Sequence, residues 1–180
     1  MPPAFSELNW GQFDVDAIVV KAGITVVASS DRQGAHAWLA AHNYPVRSID
    51  CAGGIAALAT AIGQLFQWEL QFGYAFGASR FNLDALHDGF GYSFSEEPAW
   101  VLELLNADVC HQEDAEWFYG FLSIAQNYSR EQLALGRRFF LILLLDSNSR
   151  LINQEFETSR VPSPYQAFGR ASNPVEQPPP

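Results

Sequence analysis

An uninterrupted apolar run, FFLILLL over residues 139–145, constrains the fold of this 180-residue chain more than any other feature. A strand with one solvent-exposed face alternates apolar and polar residues, whereas this run is apolar at every position until Asp146. Both of its faces must therefore be covered by other parts of the protein. The run is far shorter than the roughly 20 residues that cross a bilayer. It predicts the central strand of a sheet.

Shorter strand-like and helix-like segments alternate along the rest of the chain. The other predicted strands cover residues 24–29, 46–50 and 100–105. The predicted helices cover residues 31–43, 53–68, 83–90 and 115–128. Strands that alternate with helices imply crossover connections and therefore parallel pairing. We predict an α/β fold with a small parallel β-sheet of three to four strands and helices packed on it.

Both ends of the chain lack this alternation. Residues 1–16 mix proline, glycine and polar residues without a period, which predicts an irregular segment. Six of the ten prolines follow residue 157, where apolar periodicity also stops. This composition is typical of a disordered tail and predicts one over residues 158–180. We therefore predict a single folded domain over residues 17–157.

The charge of the chain excludes several classes of protein. The formal net charge is −10, with ten basic residues against 20 acidic ones, which argues against binding to nucleic acid or to an anionic membrane surface. Between Arg80 and Arg130 the sequence contains nine acidic residues and no Lys or Arg. This acidic window is either a solvated surface that maintains solubility or a negative face directed at a positive partner.

The N-terminus and the cysteines indicate a cellular compartment. The first residues have neither the basic flank nor the apolar core of a signal peptide, so we expect a cytoplasmic protein. A chain with 48% apolar residues can build its core without a disulfide. Cys51 and Cys110 are therefore predicted to be buried thiols.

The segment FNLDALHD, residues 81–88, is the most distinctive stretch of the sequence. In a helix, Asp84 and Asp88 lie on the same face because they are four residues apart, and His87 lies beside them. Like charges at this spacing destabilise a helix by roughly 0.2 to 0.5 kcal/mol. The helix dipole offsets this penalty for Asp84, in the first turn after the Asn82 cap, but hardly for Asp88. Local energetics permit a positively charged partner without requiring one.

One interpretation of this segment is a metal site. Asp84, His87 and Asp88 offer oxygen and nitrogen ligands on one helical face, and His111 with the acidic pair at 113–114 could complete the shell. A metal-dependent hydrolase is therefore an alternative function. The sequence contains no HExxH motif, phosphate-binding glycine loop or nucleophile elbow that would support an enzyme.

The same segment resembles a motif of the barstar family of ribonuclease inhibitors. That family typically has an aromatic pair and a glycine followed by N-[LW]-D-A-L-W-D, and here NLDALHD at 82–88 follows Tyr74, Phe76 and Gly77. The segments WVLELL and FFLILLL follow in the family's order, so the resemblance spans roughly residues 46–146. It implies a barstar-like fold, to which this chain would add a βα extension at the N-terminus.

The resemblance also implies a function. Members of the family plug the active site of a barnase-like ribonuclease with this helix and the loop before it. By position, Asp88 would stand where a substrate phosphate binds, Asp84 would bind beside it, and Phe76 would be the loop aromatic. An enzyme that cleaves phosphodiesters holds cationic side chains around an anionic transition state, and rigid carboxylates can occupy the same contacts.

We therefore expect a non-enzymatic, cytoplasmic immunity protein that inhibits a basic ribonuclease or ribonuclease toxin domain, with no cofactor and no metal. A barstar-fold binding module for a partner other than a nuclease is a further alternative. His87 stands where the family usually has Trp, and Asn127 lies where family inhibitors can supply another acid. The candidate partner-binding residues are Tyr74, Phe76, Asn82, Asp84, His87, Asp88 and Asn127.

Overall fold

A computed structural model describes residues 12–76, 82–93 and 97–165, with the side chains of 91–93 excepted. In these ranges four strands form one parallel sheet: β1 (Ile24–Ala28), β2 (Val46–Asp50), β3 (Ala99–Leu105) and β4 (Arg138–Leu145). The strand order is β1-β4-β3-β2, so β4 and β3 are the interior strands. The predicted α/β fold with a small parallel sheet is confirmed, and the FFLILLL run lies in an interior strand.

Helices connect these strands. Within the described ranges they are α1 (Phe13–Val15), α2 (Arg32–Ala41), α3 (Gly54–Leu65), α4 (Trp68–Phe72), α5 (Leu83–Ser93), α6 (Ala107–Glu113) and α7 (Ala115–Ala134). A π-helical turn, Asp16–Val20, follows α1, and a short antiparallel hairpin, β5 (Glu155–Phe156) with β6 (Ser159–Arg160), follows the sheet. None of the helices in the described part of the chain is long and apolar enough to cross a membrane.

Helices cover both faces of the sheet, which explains why β4 has no polar face. On one face, α3, α5, α6 and α7 pack around an aromatic cluster that contains Trp100, Tyr128 and Phe139. On the other face, α1 and α2 bury Phe13, Leu39 and Phe140. Phe139 and Phe140 are adjacent in sequence and point to opposite faces, as expected for an extended strand.

The structure corrects several predicted boundaries. Residues 13–16, predicted as irregular, are helical, and the helical segment continues to Val20. The buried carboxylate of Asp14 accepts hydrogen bonds from Tyr44 Oη (2.6 Å) and Arg138 Nη1 (3.3 Å). The glycines at 89 and 91, predicted to end the helix at Phe90, lie inside α5. The short helix α6 was not predicted. The first two differences come from tertiary contacts that local sequence does not show.

The folded domain also extends beyond the predicted boundary at residue 157. Val161 is fully buried, and the backbone N–H of Tyr165 donates to the carbonyl oxygen of Val26 at 2.8 Å. Pro164 forms an isolated parallel bridge with Val26, so this segment lies along the edge of β1. Residues 158–165 therefore belong to the fold and not to a tail. The rest of the predicted tail, 166–180, lies outside the described residues.

Glu103 places a buried charge in the sheet, with 1% of its surface exposed. Its carboxylate accepts hydrogen bonds from Arg32 (2.8 and 3.2 Å) and from the Ser48 hydroxyl (2.7 Å), and it lies 2.7 Å from Nε2 of His36. Burial raises the pKa of Glu103, but the hydrogen bonds from Arg32, Ser48 and His36 lower it by more, so the pKa lies below its usual range. Because Arg32 and His36 belong to α2, this network ties the N-terminal βα extension to the sheet.

The substitution Glu103→Gln should reduce stability in a pH-dependent way. At neutral pH we expect the free energy of unfolding to fall by about 1 to 3 kcal/mol, with part of the loss compensated by water at the partly exposed Arg32. A carboxyl group with a lowered folded-state pKa stabilises the fold above its unfolded-state pKa, and the contribution is lost as pH falls through the folded-state value. Urea denaturation should therefore show a smaller difference from wild type at about pH 3 than at about pH 7. An equal difference at both pH values would contradict this role for the charge.

Candidate functional site

Helix α5 begins with the side-chain cap that the sequence predicted. Oδ1 of Asn82 accepts hydrogen bonds from the backbone N–H of Asp84 (2.9 Å) and of Ala85 (3.4 Å). Such a cap satisfies N–H groups that have no partner within the helix and fixes where the helix starts. The candidate residue Asn82 therefore has a structural role, and Asp84 lies in the first turn, where the helix dipole favours a negative charge.

Two glycines let α5 approach its neighbours closely. Gly89 lies against the indole ring of Trp68 from α4, and a Cβ atom at this position would overlap the ring. Gly120 of α7 leaves room for the side chain of Leu83 in the same way. Helix α5 is therefore held from two sides, so its outer face has a fixed position relative to the core.

The charged side chains of α5 all face solvent, as their spacing predicted. Leu86 and Phe90 are fully buried beneath the helix, whereas Asp84, His87 and Asp88 are exposed. The Asp88 side chain has 74% of its surface exposed. The arrangement leaves both aspartates accessible to a partner.

Neither aspartate is neutralised within the described part of the chain. Among these residues no Lys or Arg forms an ion pair with Asp84 or Asp88. The nearest basic group to Asp88 is His87, whose Nδ1 lies 4.0 Å from Oδ1 of the aspartate. Arg80, the closest arginine in sequence, lies outside the described residues. The two carboxylates can therefore still take part in strong interactions with cations.

Helix α7 adds a third carboxylate, which sequence analysis missed. The predicted helix ended at residue 128, but α7 continues through a further turn to Ala134 and carries Glu131, whose Oε1 lies 3.6 Å from Nε2 of His87. The predicted contact Asn127 is exposed one turn earlier, and its Oδ1 accepts a hydrogen bond from Arg130 Nη1 at 3.2 Å. The good helix formers in REQLA, residues 130–134, were the signal that could have extended the helix. We call Asp84, His87, Asp88 and Glu131 the acidic patch.

The aromatic residues before α5 differ in exposure. Tyr74 is 51% exposed and presents its ring near Trp68, with the centroids 6.2 Å apart. Phe76 is only 7% exposed and packs on Trp68 with a centroid distance of 4.5 Å, so it contributes to the core and not to a binding surface. Gly77 and the rest of 77–81 lie outside the described residues. Of the two predicted aromatic contacts, Tyr74 is the accessible one.

The acidic window between residues 80 and 130 does not form one negative face. Glu103 is buried, and Asp108 accepts a hydrogen bond from the hydroxyl of Ser149. Glu113 and Asp114 accept hydrogen bonds from backbone N–H groups at the starts of α3 and α7. These four acids serve the fold. Of the remaining acids of the window, Asp84, Asp88 and Glu116 are exposed.

The alternative metal site has no support in the described residues. No group of three or more His, Cys, Asp or Glu side chains among them is arranged to hold a metal ion. His111, predicted to complete a shell, has its Nε2 2.8 Å from the hydroxyl of Tyr119 instead. Glu113 and Asp114 are used as helix caps.

No protein-family model matches the chain, and no curated protein shows significant similarity to it. The resemblance to the barstar family therefore depends on the NLDALHD motif and on the segments around it.

The substitution Gly89→Ala should weaken the packing of α5 against α4 and so reduce stability. The added methyl group would overlap Trp68, and overpacking of this kind costs about 1 to 3 kcal/mol, although alanine by itself favours a helix by about 1 kcal/mol over glycine. Urea denaturation measures the loss. The matched substitution Gly34→Ala, at an exposed position of α2, should leave stability unchanged or raise it. Equal effects of the two substitutions would contradict the proposed contact.

Proposed function

We propose that this protein inhibits a basic ribonuclease and that the acidic patch blocks the nuclease active site by imitating RNA phosphates. The observation that carries the proposal is the pair Asp84 and Asp88 on the outer face of a firmly packed helix, with no ion pair to Lys or Arg in the described residues. Like charges one turn apart slightly destabilise the helix that carries them. A cationic cleft would turn this penalty into binding energy.

A nuclease active site offers the complementary charges. An enzyme that cleaves phosphodiesters positions Arg, Lys or His around the oxygens that become more negative in the transition state. Carboxylates accept short, charge-assisted hydrogen bonds from the same side chains, and arginine can donate two at once. Asp84 and Asp88 are separated by about 6 Å along the helix axis, the rise of four residues. Successive phosphates of an extended RNA strand are a comparable distance apart, which favours mimicry by this pair.

The helix is suited to binding because it is already ordered. Gly89 and Gly120 fit it closely against Trp68 and Leu83, and the Asn82 cap fixes its first turn. Groups that are already held in place lose less conformational freedom on association, so more of the interaction energy appears as affinity. Occupancy of the active site then suffices for inhibition, and no reaction by the inhibitor is needed.

The residues around Asp84 and Asp88 determine how the proposed interface differs from that of the barstar family. His87 lies between Asp88 and Glu131, with its ring nitrogens 4.0 and 3.6 Å from their carboxylate oxygens, which is longer than a hydrogen bond. Its imidazole buries less apolar surface than the Trp that the barstar family usually has there. Tyr74 supplies an exposed aromatic ring on the turn before α5, and tyrosine is enriched in protein interfaces. We infer that charge contributes more to binding here than apolar contact does.

Capture of the partner tests the proposal directly. Wild-type protein and the double variant Asp84→Asn/Asp88→Asn serve as baits for the lysate and the secreted fraction of the source cells, and the material released by high salt is assayed with a fluorogenic RNA. The wild type should retain ribonuclease activity and the double variant should not. The pair Glu155→Gln/Glu157→Gln, at exposed positions around the β5–β6 turn, controls for the same change in charge.

Two other outcomes of the capture experiment would reject the proposal. A partner without ribonuclease activity that the double variant fails to retain would favour the binding-module alternative. A nuclease retained equally by all three baits would mean that it binds elsewhere on the protein.

The single substitution Asp88→Asn should weaken binding to the captured nuclease at least about thirtyfold, or about 2 kcal/mol, as expected for a central charged contact. Its fold should be unaffected because the side chain is exposed. Isothermal titration calorimetry measures the affinity and urea denaturation measures the stability. Glu155→Gln should change affinity less than about twofold. A near-neutral Asp88→Asn would place this residue outside the centre of the interface.

Association with the nuclease should depend strongly on salt. The rate constant for association, measured by stopped-flow fluorescence, should fall steeply between about 0.05 and 0.5 M NaCl because long-range attraction is screened. The dissociation rate should change much less. The double variant Asp84→Asn/Asp88→Asn should show a shallower dependence than the wild type. A salt-independent association rate would contradict electrostatic attraction by the acidic patch.

A further inference from the structure

A second polar site lies beside the edge of β1, away from the acidic patch. A pocket of about 310 Å³ is bounded by the turn before β1, by α7 and by the chain around the β5–β6 hairpin. This volume is at the lower end of the range typical of small-molecule sites. The polar residues that line it are Lys21, Gln126, Asn153, Ser159, Arg160 and Ser163.

Gln126 provides the first indication of a ligand. It is only 5% exposed and it lines the pocket, yet its side-chain amide forms no hydrogen bond within the described part of the chain. Its amide oxygen and nitrogen are not among the fully buried side-chain atoms that lack a partner, so they reach the solvent in the pocket. An amide left open at the wall of a polar pocket is therefore suited to bind a molecule that enters the pocket.

The charge of the pocket provides the second indication. Lys21 is the only lysine of the chain, and its Nζ lies 2.9 Å from Oδ2 of Asp16 and 3.5 Å from the carbonyl oxygen of Ser163. Arg160 is exposed and forms no ion pair with the residues that the structure describes. Asp16 pairs with Lys21, and Glu155 lies opposite Arg160 in the β5–β6 ladder, so the pocket has no excess of positive charge. Two of the ten basic residues in a protein with a net charge of −10 nevertheless line this one pocket.

We propose that this pocket binds a small organic anion through a carboxylate or phosphate group. Arg160 presents a planar set of donors that matches either group, and Lys21 adds a second positive charge. The amide of Gln126 can donate to the anion or accept from a hydroxyl of the same ligand. Asn153 is held in place by a hydrogen bond between its Oδ1 and the hydroxyl of Ser163, at 3.2 Å. The site shares no residue with the acidic patch, so it does not depend on the proposed inhibition of a nuclease.

Two simple anions test the site in solution. The full chain is titrated separately with inorganic phosphate and with succinate, at an ionic strength kept constant with NaCl, and binding is followed in ¹H–¹⁵N correlation spectra. We expect saturable shifts for at least one anion, confined to the amides of the turn before β1, of α7 near Gln126 and of residues 153–163. The anion that binds more tightly identifies the preferred group. The absence of saturable shifts with both anions would overturn the proposal.

Matched variants then assign the binding to the pocket. Gln126→Glu keeps the side-chain size but adds a negative charge, and it should weaken binding at least about tenfold. Arg160→Gln, at an exposed position where the fold is not at risk, should have an effect of similar size. Arg150→Gln, exposed and outside the pocket, should change affinity less than about twofold. Equal binding by wild type and Arg160→Gln would show an adventitious ion only, even if Gln126→Glu failed to fold.

Discussion

Burial of β4 on both faces is the constraint on which the rest of the structure depends. The strand has no polar residue from Phe139 to Leu145, so a single layer of helices would leave half of it in water. Helices α3, α5, α6 and α7 cover one face, and the N-terminal extension covers the other. The extension therefore completes the core, and its β1 also pairs with β4 along one side.

The buried charge of Glu103 follows from the same arrangement. In the interior of a two-sided sheet, a carboxylate is tolerated only when its oxygens are hydrogen-bonded. Arg32 and His36 of α2 and Ser48 of β2 supply these contacts. Glu103 thus makes the position of α2 specific, whereas apolar contacts alone would hold the helix less selectively.

The opposite face of the sheet supports the proposed binding helix. Helix α5 turns its apolar residues inwards and its aspartates outwards, and close contacts at Gly89 and Gly120 keep it against α4 and α7. A densely packed core holds this surface in a fixed position, which suits recognition by fixed charges. The pocket beside β1 is lined by Lys21 and Arg160, so the two proposed sites would select different classes of partner.

The sequence by itself determined the four strands of the sheet, the helices α2, α3, α5 and α7, the interior position of the FFLILLL strand, the Asn82 cap and the outward spacing of the aspartates. These features depend on periodicity and on contacts within one helical turn, which a short stretch of sequence contains. Only the tertiary structure decided which residues from distant segments meet, because periodicity shows that a face is apolar but not what covers it. Three of these tertiary features lie in the core: the burial of Asp14 beside Tyr44, the ion pair of Glu103 with Arg32 and the position of Phe76. The other three are the packing of 158–165 against β1, the approach of Glu131 to His87 and the pocket around Gln126.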